Sequence, residues 1–257
     1  MAQDRYFIFV KTDKALDADF GAQLLTAWNQ ELPRELWIER FDGGEPVKRD
    51  LASEGVAAAI SLWAELGSPI MLARKSPPRI LADMSWRASR GAERRPYPWS
   101  CSIWLDRRAG DELAIVLFRF IVIRFAAAFG LLTTESDLKR KHWFVFPEST
   151  GGTVEAMRGL DVYRDLPGVY WLTYFGQGAI NLLSTSREAL ASRPDSATLG
   201  DGVLLRPFRD SRAIGTSEAI ALEEQLRSEM GASRFFSRSS IASAQQLLEP
   251  PAGFAVN

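Results

Sequence analysis

The chain has very little cysteine and histidine, two residue types that bind metals and take part in nucleophilic catalysis. Its 257 residues include one cysteine, Cys101, and one histidine, His142. A single cysteine cannot form an internal disulfide, and a zinc site that needs several nitrogen and sulfur ligands is excluded. A Ser/His/Asp triad would depend on His142, which we expect at the surface because it ends the basic run Lys139–His142. The 32 aspartates and glutamates leave a site built from carboxylates alone open, but no EF-hand loop, HExxH motif or closely spaced acidic cluster is present. We therefore expect no metal, no cofactor and no catalytic residue.

The chain has no excess of positive or negative residues, and it has no long apolar segment without a charge. The chain has 31 lysines and arginines and 32 aspartates and glutamates, so its net charge is -1. This balance does not favour a dedicated binder of nucleic acid or of anionic membranes. The longest apolar stretch, Leu113–Leu132, contains Arg119 and Arg124, and a charge at the bilayer centre costs about 2.5 to 3.5 kcal/mol. No signal-peptide pattern precedes the first strand pattern. We expect a cytoplasmic protein that binds neither nucleic acid nor membrane.

Hydrophobic periodicity predicts strands mixed with amphipathic helices. The strand patterns are Tyr6–Lys11, Leu36–Phe41, Ile80–Arg87, Ser100–Asp106, Val169–Phe175 and Val203–Phe208. Helices are predicted over residues 16–28 before Pro33, around Val56–Trp63, from Asp111 through Phe129 with Gly130 as terminator, and over 217–230 with Gly231 as terminator. The β-branched residues between Ile115 and Ile123 leave a strand as the second choice for the third helix.

The order and composition of these elements predict the fold class. The chain is 46% hydrophobic and 25% charged, which is typical of a globular protein with an adequate core. No linker rich in Ser, Gly or Pro divides it, so we predict one α+β domain over residues 1–257, a mostly antiparallel sheet with helices packed on it. The order strand, strand, helix recurs loosely in the two halves, which also fits an ancient duplication.

A glycine-containing turn offers one enzymatic interpretation. Gly176-Gln177-Gly178 follows a predicted strand and precedes a short helix, the setting in which backbone amides meet a phosphate. The third glycine of a dinucleotide fingerprint is replaced by Asn181. A small nucleotide-binding enzyme that uses the Gly176–Gly178 turn is therefore an alternative, beside a tight turn with a purely structural role.

The connection between the third and fourth predicted strands, a predicted hairpin, combines arginine with aromatic residues. We take six residues there as candidate partner-binding residues: Arg87, Arg90, Arg94, Arg95, Tyr97 and Trp99. This composition is typical of hot spots in protein interfaces, and equally of platforms that bind single-stranded nucleic acid. A nucleic-acid-binding module that uses the hairpin is therefore a second alternative, and a solvated tip whose tryptophans fold back on the sheet is a third.

The segment Leu166–Gly176, LPGVYWLTYFG, resembles the "GVxWLTxLG" strand of the immunity proteins that accompany type VI secretion effectors and other polymorphic toxins. These are the TsiV-like and TsiT-like families. Gly168, Trp171 and Gly176 are the structural residues of that motif. The stretch Gly202–Pro207, followed by a helix that ends near residue 230, is similar to the closing strand and helix of these proteins. The Gly-Asp-containing stretch that follows this strand in the TsiV-like pattern is absent, and Arg209–Arg212 stands in its place.

The resemblance implies a protein that is not an enzyme and that binds and neutralises a cognate antibacterial toxin. For the TsiT-like group the toxin would be a nuclease of the restriction-endonuclease class. Two mechanisms stay open, which are occlusion of the active site and prevention of an assembly step such as toxin dimerisation. Nuclease clefts are typically basic, so an inhibitor that mimicked nucleic acid would be acidic, and a net charge of -1 does not fit such a mimic.

Overall fold

A ten-stranded sheet contains strands from both halves of the chain, and every pair of neighbours in it is antiparallel. The structure is a computed structural model that describes residues 4–12, 18–66, 69–85, 99–147, 153–160, 162, 165–239 and 241. Its strands are β1 (Arg5–Thr12), β2 (Arg40–Asp42), β3 (Arg49–Asp50), β4 (Ile70–Arg74), β5 (Ile80–Ser85), β6 (Trp99–Asp106), β7 (Phe129–Thr134), β8 (Trp143–Pro147), β9 (Thr153–Met157), β10 (Leu172–Phe175), β11 (Ser196–Leu199) and β12 (Gly202–Leu205). The order in the sheet is β11-β12-β10-β7-β1-β6-β5-β4-β2-β3, and β8 and β9 form a separate hairpin.

Six of the seven helices among the described residues lie between strands, and the seventh follows β12. They are α1 (Ala18–Glu31), α2 (Leu51–Leu66), α3 (Gly110–Arg124), α4 (Glu135–His142), α5 (Gln177–Ile180), α6 (Arg187–Ala191) and α7 (Ser217–Gly231). Helix α7 begins after Thr216, whose hydroxyl accepts a hydrogen bond from the backbone of Ala219, and it ends at Gly231, where φ is +101°. The α+β class and the antiparallel sheet with helices packed on it are as the sequence predicts.

Strand β1 lies in the middle of the sheet because its side chains are apolar toward both faces. Tyr6, Ile8 and Val10 point to one face, which we call the first face, and Phe7 and Phe9 point to the other, the second face. All five are buried. A strand that is apolar on both sides is stable only where both faces are covered, so the sequence of β1 requires an interior position.

The two faces carry two separate cores that differ in extent. On the first face, Trp28 of α1, Trp63 of α2 and Phe118 of α3 belong to a cluster that reaches from β2 to β11. On the second face, Leu138 of α4 and Leu226 of α7 belong to a smaller cluster. This second cluster has no member in β4 or β5 among the described residues, so one half of the second face lies outside it.

The third helix is shorter than predicted, and Gly130 does not terminate it. Helix α3 ends at Arg124, the chain turns at Ala126 with φ at +43°, and Gly130 lies within β7. A Cβ atom on Gly130 would come within 3.1 Å of Val122 and 3.2 Å of Phe118. The glycine is therefore explained by the close approach of α3 to the sheet.

The strand predicted over Val169–Phe175 forms a regular ladder only from Leu172. Before Leu172, side chains form hydrogen bonds with the polar groups of the backbone. The Tyr170 N–H donates to the Thr173 hydroxyl at 2.9 Å, and the Val169 carbonyl accepts from the Lys141 ammonium at 2.9 Å. These bonds take the place of strand pairing, although the segment is buried.

Other strand predictions need smaller corrections. Within Leu36–Phe41 only Arg40 and Phe41 pair as a strand, after a 3₁₀ turn at Arg34–Leu36. The strand predicted over Val203–Phe208 is Gly202–Leu205. Strand β4 was not predicted, although Ile70 and Leu72 alternate with less buried neighbours in it.

Candidate functional site

Most of the candidate partner-binding residues lie outside the described residues; these are Arg87, Arg90, Arg94, Arg95 and Tyr97. The backbone of Trp99 begins β6 and pairs with Thr12 of β1. The two arms of the hairpin are described, and they pair in continuous register up to Ser85 and Ser100. Residues 86–98 are therefore joined to two neighbouring interior strands of the sheet.

Trp171 lies in the interior of the molecule. It is fully buried, and its ring stacks on that of Tyr6 with 6.0 Å between centroids. The guanidinium of Arg206 lies 5.8 Å from the same ring. The indole N–H has no hydrogen-bond partner among the described residues. Gly168, in the same motif, has φ at +151°, a conformation that residues with a side chain rarely adopt.

Gly176 directly follows β10 and lies beside the turn that precedes β7. Its N–H donates to the carbonyl of Ala128 at 3.0 Å, and a Cβ atom would lie 2.4 Å from the carbonyl oxygen of Ala127. Because two backbones approach each other here, only glycine fits without a shift. Helix α5 begins directly after Gly176 and has four residues. Gly168, Trp171 and Gly176 thus have local packing and backbone reasons for their identities.

A polar cluster ties β1 to the start of α3 and to the loop after β12. The hydroxyls of Tyr6 and Ser211 donate to the Asp111 carboxylate at 2.5 and 2.6 Å, and the backbone N–H of Ser211 donates to it at 3.0 Å. Burial and the bond to Asp111 raise the pKa of Tyr6 to about 12. Burial alone would raise the pKa of Asp111, but the hydrogen bonds from Ser211 and Tyr6 lower it. The carboxylate is therefore ionised at neutral pH and holds both hydroxyls.

A second polar group, which the sequence analysis missed, lies under the second face. We call Asp137, Arg140 and Lys141 of α4 and Glu223 of α7 the buried ionic cluster. The Lys141 ammonium lies 3.0 Å from Asp137 and 2.8 Å from Glu223. Arg140 lies 2.5 Å from Asp137 and 3.5 Å from Glu223. Two cations thus bridge two carboxylates that are 3% and 5% exposed, which joins α4 to α7.

The two carboxylates of the buried ionic cluster differ in their proton affinity. Burial would raise the pKa of Asp137, but Lys141, the hydroxyl of Thr133 at 2.7 Å and Arg140 together lower it. Burial raises the pKa of Glu223, and the nearby Asp137 charge adds to this effect. One oxygen of Glu223 has no hydrogen-bond partner within the described part of the chain. Asp137 is therefore the better-compensated carboxylate.

His142 is buried, and its predicted surface position is wrong. Its exposed fraction is 0%. Its Nδ1 lies 2.7 Å from the carbonyl oxygen of Arg158, which can only accept, so Nδ1 carries the proton and Nε2 accepts from the hydroxyl of Tyr170. Burial lowers the pKa of His142 to about 4. The imidazole is therefore neutral at physiological pH, and Phe236 stacks against it at 5.4 Å.

A surface trough of about 610 Å³ lies in the half of the second face that the smaller core does not reach. Trp104, Leu81 and Ala73 line it and are consecutive neighbours in one row across β6, β5 and β4. Its other lining residues include Glu45, Pro46 and Val47 of the loop between β2 and β3, and the charged residues Arg5, Arg74, Lys75, Arg79 and Asp106.

The described residues contain no group of three or more His, Cys, Asp and Glu side chains that could hold a metal ion. No helix in the same ranges is long and apolar enough to cross a membrane. The chain has no match among protein-family models and none among curated proteins.

Proposed function

We propose that this chain is a cytoplasmic immunity protein that binds and neutralises a cognate antibacterial toxin. In this proposal the toxin is a nuclease, and type VI secretion delivers it. It is supported by the resemblance of Leu166–Gly176 to the motif strand of such proteins. An immunity protein needs a stable scaffold and a surface for tight binding, and no catalytic group of its own.

The observation that carries the proposal is the position of the Arg-rich segment between β5 and β6. These strands lie inside the sheet and pair over Ile80–Ser85 and Ser100–Leu105. Residues 86–98, which contain Arg94 and Arg95, therefore connect to a rigid base. Arginine and aromatic side chains are the most frequent anchors in protein interfaces.

The proposed activity also sets a minimum affinity. A toxin that acts at a few copies per cell, at about nanomolar concentration, requires more than about 12 kcal/mol of binding free energy. Interfaces of this strength usually bury about 1,600 Å² in total. Anchors on the hairpin would therefore belong to a larger contact surface.

The direct test uses the gene next to the one that encodes this chain. If that gene encodes a toxin, its expression alone should stop growth of a susceptible bacterium, and co-expression of this chain should restore growth. The catalytically inactivated toxin should bind the purified chain with a subnanomolar dissociation constant. Toxicity that persists during co-expression, together with no binding, would refute the proposed function.

The hairpin is tested by charge reversal. The sequence predicts a surface position for both arginines, so Arg94→Glu with Arg95→Glu should change the free energy of unfolding by no more than about 0.5 kcal/mol. The double variant should weaken the complex, chiefly through faster dissociation. Arg119→Glu with Arg209→Glu is the control, because both arginines are exposed and lie outside the hairpin. Wild-type kinetics in both double variants would place the interface elsewhere.

A panel of nucleotides separates this proposal from the enzymatic alternative. A ligand at one hundred times its dissociation constant stabilises the folded state by about 2.7 kcal/mol. Stabilisation by one nucleotide that is lost when the Gly176–Gly178 turn is altered would favour a nucleotide-binding enzyme.

A further inference from the structure

We propose that two copies of this chain associate through the solvent side of α3, which packs antiparallel against the same helix of the second copy. The inference goes beyond the proposed function and does not depend on it. It follows from a line of exposed side chains in which charged and apolar residues alternate. We call Glu112, Val116, Arg119 and Ile123 the outer stripe of α3.

The outer stripe runs along one side of the helix. Its members follow each other at intervals of four, three and four positions, so all four point into a sector of about 60°. All four are exposed, and the exposed fractions of Val116 and Ile123 are 41% and 55%. Ten of the fifteen residues of α3 are apolar, and a helix that is apolar nearly all round is usually covered on every side.

The charges of the outer stripe have no ion-pair partner within the described part of the chain. Two of the four charged side chains of α3 are engaged elsewhere: Asp111 holds the hydroxyls of the polar cluster, and Arg124 pairs with Glu31 of α1. Glu112 and Arg119 are exposed, and neither forms an ion pair with a described residue. A second molecule can therefore pair with both charges without breaking an existing ion pair.

The order of the side chains makes the outer stripe complementary to itself. If two copies of α3 pack antiparallel about a twofold axis at Val116, Glu112 of each copy lies beside Arg119 of the other. Val116 then meets its own mate, and Ile123 faces Ala109, the residue before the helix. Ion pairs on both sides of a central apolar contact form the kind of surface that a symmetric dimer requires.

Other arrangements of the two helices oppose like charges. A parallel pair places Glu112 against Glu112 and Arg119 against Arg119. An antiparallel pair centred on Arg119 brings the two arginines together. Since like charges that face each other oppose binding, the signs select the arrangement centred on Val116. A net charge of -1 adds no strong repulsion between whole molecules.

The size of the contact sets its strength. A helix of fifteen residues is about 22 Å long and about 10 Å wide, which provides less than the roughly 800 Å² per partner of a standard interface. We therefore expect a transient dimer with a dissociation constant on the order of 100 µM. At the nanomolar concentrations of a toxin-binding measurement the chain is then monomeric, so changes on α3 do not disturb that measurement.

Charge exchange tests the pairing in the full chain, with sedimentation equilibrium as the measurement over concentrations that bracket about 100 µM. Glu112→Arg and Arg119→Glu should each weaken association at least about tenfold, because each opposes like charges. The double variant should associate within about threefold of wild type, since both pairs form again with exchanged signs. Lys48→Glu, on the exposed loop between β2 and β3, is the matched control and should behave as wild type.

An equimolar mixture of the two single variants extends this test. One variant then carries two positive charges in the outer stripe and the other two negative charges. Their heterodimer restores both ion pairs, so the mixture should associate at least about tenfold more tightly than either variant alone.

A cysteine crosslink tests the position of the axis. The native Cys101 is fully buried, so an introduced surface thiol reacts without competition from it. Val116→Cys should give a disulfide-linked dimer on oxidation with copper phenanthroline, because the two thiols meet at the axis. Glu112→Cys should not, since the proposed arrangement separates its two copies by about 12 Å along the helices.

The outcomes decide the proposal without the toxin. A wild-type chain that stays monomeric throughout the concentration range refutes the dimer, as do single charge variants that match Lys48→Glu. Crosslinking of Glu112→Cys as efficient as that of Val116→Cys refutes the antiparallel arrangement. Melting temperatures verify that each variant is folded. Each of these failures leaves the proposed function in place, because none of the measurements involves toxin binding.

Discussion

His142 accepts a hydrogen bond from the hydroxyl of Tyr170, and both side chains are fully buried. The bond joins the end of α4 to the segment that leads into β10. It requires a neutral imidazole, because a protonated ring would have a donor at Nε2 and no acceptor for the tyrosine. The contact therefore couples the folded state to the protonation of one side chain.

We expect the free energy of unfolding to fall as the pH is lowered from about 6.5 to about 4. The pKa of His142 is lowered by burial to about 4 in the folded state, against 6.5 as its ordinary value. The unfolded chain binds this proton more readily, so stability is lost as the pH falls through that range, by about 3 kcal/mol in total. Urea unfolding at a series of pH values measures the slope.

His142→Gln isolates this contribution, because glutamine can donate to the Arg158 carbonyl and accept from Tyr170 without titrating. Asp137 and Glu223 titrate in both proteins, so the difference between the two pH profiles belongs to His142. Parallel profiles in the wild type and the variant would contradict the assignment.

Lys141→Met should lower the free energy of unfolding by about 3 to 5 kcal/mol at neutral pH, because it leaves two buried carboxylates with less compensating charge. Lys139→Met on the same helix is the control. Lys139 pairs with Glu135 at the surface and is 52% exposed, so its loss should cost no more than about 1 kcal/mol. Thermal or urea unfolding distinguishes the two variants.

The double variant Lys141→Met with Glu223→Gln should be more stable than Lys141→Met alone, since it removes one of the uncompensated charges. Equal stability of the single and double variants would show that Glu223 is already neutral or already solvated.

Gly176→Ala should destabilise the fold by about 1 to 3 kcal/mol, because the new methyl group meets the backbone carbonyl of Ala127 and one strand must move. Gly44→Ala is the matched control, since no atom lies within 4 Å of the added Cβ there. Chemical unfolding of both variants is the measurement. A loss of stability of the same size at both positions would exclude the close approach as the cause.

Trp171→Ala should cost about 3 to 5 kcal/mol, the usual range for removing a large buried aromatic side chain. Trp171→Phe should cost less, since it keeps most of the ring and removes an indole N–H that has no partner among the described residues. An unchanged melting temperature in Trp171→Ala together with lost protection against the toxin would identify Trp171 as an interface residue.

The strongly periodic elements of the fold could be predicted from the sequence, whereas their ends depended on contacts between distant residues. Strand β1 and helix α7 have clear patterns and, in the helix, a capping threonine and a terminal glycine. The end of α3 was misjudged because the apolar run continues into β7 without a break in composition. Gly130 looked like a terminator, but its packing against Phe118 explains it.

The polar groups of the interior were the least predictable part. The run Lys139–His142 has the composition of a solvated surface, yet α7 supplies Glu223, more than eighty positions away, to neutralise Lys141. Arg158 and Tyr170 likewise bury the histidine from outside the run. No local pattern encodes such pairing. The Arg-rich hairpin was predicted from two strand patterns on either side of a polar segment. The described strands β5 and β6 confirm its two arms, while residues 86–98 lie outside the described part.

The central position of β1 has a consequence for synthesis of the chain on the ribosome. This strand is complete at Thr12, but its two neighbours in the sheet end at Asp106 and Thr134. Both edges of this short segment of high β-propensity are free to pair with other chains until β6 is made, and one edge stays free until β7 is made. The earliest of the described strands is thus paired on both edges only after β7 is made, and chains truncated before Trp99 would leave both of its edges unpaired and aggregate.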